Sequence, residues 1–176
     1  MCNSVFNEDP DLKALSATEI IPTPTLMKTS HRILLVEDDK DDQDFFIDAM
    51  NDIGSALLYD IVNNGKEAIE RLKDSGRLPT LIFMDINMPL MNGMQCLEAM
   101  RKNPDTMNIP VVILSTSPAQ KEQAQYLGAN AYIEKSSNYK TLRCQLEEMI
   151  NLDFIKDKFI ANQTFQNGLA GNTALC

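Results

Sequence analysis

Short apolar runs alternate with segments of helical periodicity along most of the chain. Apolar runs of this length, bounded by turn residues, are typical of buried strands. Five runs predict five strands, and they are ILLV, ALLYDIV, TLIFMD, IPVVILSTS and AYIEK. The first begins at Ile33 and the last ends at Lys135.

The segments that follow these runs repeat their apolar residues at helical spacing. Phe46, Met50 and Ile53 form one such stripe, and Gly54 is a stop signal behind it. The five predicted helices are DDQDFFIDAMNDI, KEAIERLKDS, GMQCLEAMRKN, AQKEQAQYLGA, which Gly128 caps, and YKTLRCQLEEMI. Strictly alternating strands and helices predict an α/β fold, with right-handed crossovers and helices on both faces of a parallel sheet.

The periodic region sets the predicted domain boundaries. Residues 1–30 are polar, contain PTPT and show no sustained period, which predicts a flexible N-terminal extension. One domain is expected over residues 31–150. In residues 151–176 an apolar stripe through Ile155 and Phe159 predicts a helical extension before a polar C-terminal tail.

Charge and length exclude several classes of function. Sixteen basic and 25 acidic residues give a formal net charge of −9, which disfavours nucleic acids and anionic membranes as partners. The segment after Ile150 is too short and too polar for a helix-turn-helix module. The chain begins without a basic and apolar leader, and no run approaches the roughly 18 apolar residues of a membrane span. We therefore expect a cytoplasmic protein.

Polar side chains follow four of the five predicted strands. Because the carboxyl ends of parallel strands meet at one edge, where ligands bind, we expect these side chains to converge. They are Glu37, Asp38 and Asp39, then Asp85, then Ser115 and Thr116, then Lys135. Crowded carboxylates resist ionisation unless a cation offsets their charge, and an all-oxygen ligand set favours Mg2+.

The remaining groups at this edge predict phosphoryl chemistry. The Lys135 ammonium can bind one phosphoryl oxygen, and the Ser115 hydroxyl can donate to another. Asp85 would be the nucleophile, because a carboxylate that attacks phosphorus gives an acyl phosphate. In contrast, Asp39, Asp41, Asp42 and Asp44 are interpreted as the solvated first turn of a helix, favoured by its dipole.

The motifs ILLVEDD, LIFMDINMPLMNG, VVILSTS and AYIEK, in this order, resemble the receiver domain of bacterial two-component response regulators. The resemblance covers residues 31–150 and implies a flavodoxin-like sheet in the order 2-1-3-4-5, an order that standard descriptions of this fold give for a chemotaxis member. It also implies a role for each matching residue. These are Asp85 as phosphoacceptor, Glu37 and Asp38 as the acidic pair at Mg2+, the Asn87 backbone carbonyl as a further ligand, Lys135 as phosphate-binding lysine, Ser115 as switch hydroxyl and Tyr132 as switch aromatic.

The resemblance further implies a signalling role rather than a turnover enzyme, with catalysis only of the chain's own phosphorylation and dephosphorylation. A sensor histidine kinase or phosphotransfer protein would be the donor. The output would be contact of a downstream protein with the face of the fourth helix, fifth strand and fifth helix; homodimer formation is left open. The family usually has proline after the lysine, whereas Ser136 stands here. The stretch from Ser115 to Lys135 is also short for the family, so Thr116 is a backup hydroxyl.

Two alternatives belong to other functional classes. The first is a pseudo-receiver, a binding module that works without phosphorylation, supported by Ser136 and the short stretch. The second is a phosphatase of the haloacid dehalogenase kind, which also uses a strand-end aspartate and Mg2+. That chemistry needs an acid two residues after the nucleophile, and position 87 is Asn.

Overall fold

The computed structural model describes residues 32–54, 58–74, 76 and 78–152. These residues form a five-stranded parallel sheet in the order β2-β1-β3-β4-β5, which confirms the predicted fold and strand order. The strands are β1 Arg32–Val36, β2 Leu58–Val62, β3 Leu81–Asp85, β4 Val111–Ser115 and β5 Ala131–Glu134. The helices are α1 Lys40–Ile53, α2 Gly65–Asp74, α3 Gly93–Lys102, α4 Lys121–Tyr126 and α5 Tyr139–Asn151.

Both faces of the sheet are buried, because the helices cover both. Successive side chains of a strand point to opposite faces. In β1, Leu34 and Val36 join the core under α2, α3 and α4, whereas Ile33 and Leu35 join the core under α1 and α5. All five residues of β3 are buried, as expected for the central strand of such a sheet.

Capping residues start helices α1 and α3. The Asp39 side chain accepts the backbone N–H groups of Asp41 and Asp42 and begins α1 two residues after Glu37. Gly54, in the left-handed conformation with φ of 65°, ends this helix. Asn92 forms a capping box with Gln95 at the start of α3. The first turn of α1, which begins at Lys40, therefore follows closely on the end of β1 at Val36.

The fourth helix is shorter than predicted. Residues Pro118–Gln120 form a 3-10 turn, and α4 contains only six residues, from Lys121 to Tyr126. Ser117 accepts the N–H of Ala119, a local bond that starts the tighter turn. Gly128, with φ of 91°, lies just beyond the helix as predicted. Because the helix is short, the loop between β4 and α4 lies at the edge of the sheet that is formed by the carboxyl ends of the strands.

Several predictions fall outside the residues that the structure describes. They are the N-terminal extension over residues 1–30, the start of the second predicted strand and the tail beyond residue 152. Helix α5 reaches Asn151, one residue past the predicted end of the domain.

Candidate functional site

The sheet register brings the predicted site residues to one edge. Val36 pairs with Met84, so Glu37 and Asp85 follow at the same level on adjacent strands. The strand order reverses between β1 and β3, and in parallel α/β sheets such a reversal opens a binding crevice. Ser115 pairs with Glu134, and Lys135 is the next residue. The predicted convergence of strand-end residues is thus present in the structure.

Lys135 lies at the centre of the carboxylates. Its ammonium nitrogen Nζ is 2.6 Å from Asp85 Oδ1 and 2.7 Å from both Glu37 Oε2 and Asp42 Oδ2. Its backbone N–H donates to the Ser115 carbonyl at 2.8 Å, which fixes the start of the loop after β5. Burial lowers the pKa of Lys135, but its hydrogen bonds to Asp42, Asp85 and Glu37 outweigh burial and leave the pKa raised. The side chain therefore stays charged.

Glu37 is a buried carboxylate that needs a cation nearby. Only 3% of its side chain is exposed. Burial raises its pKa from 4.5 to about 7, against the lowering effect of Lys135, and the charge of Asp85 adds to the rise. Its Oε1 accepts the backbone N–H of Asp39 at 3.2 Å. Lys135 therefore opposes the effect of burial on the pKa of this carboxyl.

Three of the predicted residues could hold a metal ion together. Carboxylate oxygens of Glu37, Asp38 and Asp85 all lie within 4.8 Å of one another. The donors are oxygens only, which suits Mg2+ or Mn2+ better than a thiolate-seeking metal. The backbone N–H of Asn87 donates to Asp85 Oδ2 at 2.5 Å, so residue 87 also borders this group. The residues present fit a hard divalent cation.

Ser115 and Tyr132 both form hydrogen bonds with Ser117. Ser115 is fully buried, and its hydroxyl oxygen lies 3.4 Å from two alternative acceptors of its single proton, the Ser117 carbonyl and Gln120 Oε1. The Tyr132 ring is buried in the core, and its hydroxyl donates to the Ser117 carbonyl. Burial is the largest cause of the raised pKa of Tyr132. Thr116, the backup hydroxyl, is exposed, so Ser115 is the hydroxyl that points inward.

The loop between β3 and α3 holds the backbone of Asp85. The Gly93 N–H donates to the Ile86 carbonyl at 3.0 Å and closes this loop on itself. A Cβ atom at residue 93 would lie 2.1 Å from the Asp85 carbonyl oxygen, so only glycine fits here. At the tip of the loop Leu90 has φ of 65° and is 84% exposed. The loop is therefore tightly closed at its base.

Sequence reasoning missed two residues of the site. The sequence predicts Asp42 in a solvated helical turn, but in the structure Asp42 binds Lys135. Gln43 is buried, and its amide donates to the Glu37 carbonyl at 2.6 Å. A signal for Gln43 was available, because it continues the apolar stripe of Phe46 and Met50 as its one polar residue. Asp42 has no such signal, since acidic residues are common in first turns.

Comparisons with known proteins identify a family that matches most of this chain. Residues 33–147 match the family model of the response regulator receiver domain. The chain is 36% identical over 119 residues to the response regulator Rcp1 of Synechocystis, an alignment that covers 62% of this chain and 80% of that protein. It is 30% identical over 112 residues to the two-component response regulator 24 of Arabidopsis thaliana, covering 64% of this chain and 78% of that protein.

Solved structures give the same result. The phosphorylated cyanobacterial phytochrome response regulator RcpA superposes with a TM-score of 0.63 at 31% identity, covering 68% of this chain and 91% of that one. The Mn2+-bound form of Rcp1 superposes with a TM-score of 0.61 at 31% identity and the same coverage. Within residues 32–54, 58–74, 76 and 78–152, no helix is long and apolar enough to cross a membrane.

Proposed function

The chain belongs to the response regulator receiver domains of two-component signalling, and from this premise we propose that Asp85 accepts the phosphoryl group. One observation carries the assignment: the Asp85 carboxylate is buried at a sheet edge with the Lys135 ammonium 2.6 Å away. A buried carboxylate that lies beside a cation and other acids is typical of a reactive site, and the cation can stabilise the negative charge of a phosphoryl group.

The transfer step follows from the contacts of Asp85. One carboxylate oxygen attacks the phosphorus of a phosphohistidine on the donor protein, and the P–N bond breaks as the new P–O bond forms. The leaving imidazole takes a proton from solvent, and an acyl phosphate remains on Asp85. The Asn87 N–H orients the carboxylate through Oδ2, and Lys135 neutralises charge on the transferred group.

A divalent cation fits beside these groups. Glu37, Asp38, Asp85 and the Asn87 backbone carbonyl would hold Mg2+, which when bound neutralises charge on the phosphoryl oxygens. The Glu37 carbonyl accepts the Gln43 amide, and Asp39 donates its N–H to the Glu37 side chain. These bonds fix the orientation of Glu37 before any ion arrives, which lowers the cost of binding one.

The neutral side of the site would transmit the signal. The Ser115 hydroxyl would leave Ser117 and Gln120 and donate to a phosphoryl oxygen on Asp85. Tyr132 would adjust in step, because Ser117 binds both side chains. Both residues border α4, so the face of α4, β5 and α5 would change shape and contact a downstream protein. A sensor histidine kinase or phosphotransfer protein would supply the phosphoryl group, and the chain would catalyse only its own phosphorylation and dephosphorylation.

Phosphoryl uptake by Asp85→Asn tests the proposal. The wild-type chain and the variant are incubated with labelled acetyl phosphate and Mg2+, and with a phosphorylated donor protein. We expect label on the wild type, no label on Asp85→Asn, and normal labelling of Asp105→Asn, which loses the same charge at an exposed loop. Label retained by Asp85→Asn would show that another residue is the acceptor.

A further inference from the structure

Lys135 has a third carboxylate partner that the proposed chemistry does not use. Asp42 Oδ2 lies 2.7 Å from the Lys135 nitrogen, as close as the Glu37 carboxylate. Asp42 is not among the residues whose oxygens cluster as metal ligands. Its side chain is 47% exposed, whereas those of Glu37 and Asp85 are 3% and 6% exposed. Asp42 therefore contacts Lys135 from outside the phosphoryl site.

Helix α1 holds Asp42 in a fixed place relative to the loop that carries Lys135. The Asp39 cap accepts the Asp42 N–H at 3.3 Å. At the start of α5, the Tyr139 ring packs edge-on against Phe45 of α1 with ring centroids 5.5 Å apart. The Tyr139 hydroxyl donates to Asp52 at 2.6 Å. The loop from Lys135 to Tyr139 is thus tied to α1 at both of its ends.

The other two partners of Lys135 change during the proposed reaction. A cation held by Glu37 competes with Lys135 for that carboxylate, and Asp85 gives up its free charge when it takes the phosphoryl group. Asp42 takes part in neither change. The residue after the lysine is Ser136, whose hydroxyl oxygen accepts the N–H of Asn138 at 3.1 Å. Asp42 is the partner that can hold the ammonium throughout.

We propose that Asp42 is a positioning residue that keeps the Lys135 ammonium beside the phosphoryl group on Asp85. The inference rests on the proposed role of Asp85 and Lys135. Asp42 touches neither the phosphoryl group nor the metal ligands, so it acts only through Lys135. Because the Asp42 carboxylate is 47% exposed, the contribution of the pair is modest and is screened by salt.

The rate of labelling by acetyl phosphate at saturating Mg2+ tests this role. We expect Asp42→Asn to slow labelling roughly two- to fivefold at low salt, the range of an exposed ion pair, and less at high salt. Asp41→Asn is the matched control, since it removes the same charge from the adjacent exposed position and should label at the wild-type rate. Asp42→Glu keeps the carboxylate and should recover most of the rate.

A double mutant separates positioning from a general effect on folding or charge. In a Lys135→Met background, followed over hours, Asp42→Asn should cause no further loss. Equal rates for Asp42→Asn and Asp41→Asn, or an undiminished Asp42 effect in the Lys135→Met background, would overturn the positioning role while leaving Asp85 as acceptor. A wild-type chain that takes no label, or label that stays on Asp85→Asn, would instead overturn the proposed function and this inference with it.

Discussion

The strand-end edge has two halves that differ in how they are held. The acidic half contains Glu37, Asp38, Asp42, Asp85 and Lys135, and its ion pairs are 2.6–2.7 Å long. The hydroxyl half contains Ser115, Ser117, Gln120 and Tyr132, where Ser115 makes neutral hydrogen bonds of 3.2–3.4 Å. Short bonds between charged groups are stronger than long neutral ones. In the unphosphorylated state the acidic half is therefore the more firmly held, and Ser115 in the hydroxyl half can exchange partners at lower cost.

The largest effect is expected where the acidic half loses its cation. Lys135→Met should slow labelling by acetyl phosphate about 10²- to 10³-fold, the loss typical of one preorganised charged or hydrogen-bonding group at a transition state. Lys140→Met, which removes an exposed lysine near the start of α5, should label normally. A Lys135→Met rate within twofold of the wild type would mean that the ammonium does not act on the phosphoryl group.

The same variant should also change the stability of the protein. A stability measurement tests the ion pairs of the acidic half without a phosphoryl donor. In EDTA at pH 8, Lys135→Met should lower the free energy of unfolding by about 1–3 kcal/mol, because Glu37 and Asp85 then face each other without a cation. Urea denaturation measures this loss. With Lys135 in place the pKa of Glu37 is raised from 4.5 to about 7, mainly by burial, so the stability that this shift contributes is lost as the pH rises through about 7. Lys135→Met removes groups that lower this pKa, so Glu37 should be neutral at pH 6 and the loss caused by the substitution should be smaller there than at pH 8. Added Mg2+ should restore part of it, and a loss independent of both pH and Mg2+ would point to packing instead.

In the hydroxyl half, Ser115→Ala should separate chemistry from response. We expect labelling within about threefold of the wild type, since the hydroxyl contributes one neutral hydrogen bond. Beryllofluoride mimics the phosphoryl group on the aspartate. When it binds the wild type, the NMR chemical shifts of backbone amides in α4 should change, and they should change much less in Ser115→Ala. Thr116→Ala, at the exposed neighbouring hydroxyl, should respond like the wild type; the reverse pattern would make Thr116 the switch residue.

The smallest effect is expected for the Tyr132 hydroxyl. Tyr132→Phe removes the hydrogen bond to the Ser117 carbonyl and keeps the ring in the core, so the free energy of unfolding should fall by about 1 kcal/mol. Thermal denaturation measures the change. Tyr126→Phe, at a ring that is 90% exposed, should leave the melting temperature unchanged. An unchanged melting temperature for Tyr132→Phe as well would mean that this bond contributes nothing to stability.

The fold and the residues at the strand ends were predictable because both follow from the alternation of buried strands and helices along the chain. Once five buried strands alternate with helices, the parallel order places the ends of β1, β3, β4 and β5 at one edge. Asp85, Glu37, Ser115 and Lys135 are read directly from those ends. The orientation of Ser115 was also accessible, since alternate strand residues face opposite sides and Thr116 must then differ from it.

Contacts made by side chains of helices were not predictable in the same way. The position of Asp42 over Lys135 depends on the tilt of α1 against α5, which periodicity does not specify. The shortened fourth helix depends on Ser117 and Pro118 starting a 3-10 turn in place of an α-helical one. The resemblance implies Tyr132 as the switch aromatic, but its bond to the Ser117 carbonyl is a contact that sequence alone does not reveal.

The absence of a side chain at Gly93 sets a constraint on how this protein can vary. Any larger residue there would collide with the main chain of Asp85 rather than with a neighbour that can rotate away. In a library that samples every amino acid at each position, residue 93 should therefore tolerate almost nothing, even though it neither ionises nor binds a ligand. Position 90, at the tip of the same loop, should accept many residues, glycine and asparagine most readily. The close approach of residue 93 to the Asp85 main chain also ties the length of this loop to the fold, so a residue inserted between 85 and 93 should lower the stability of the protein.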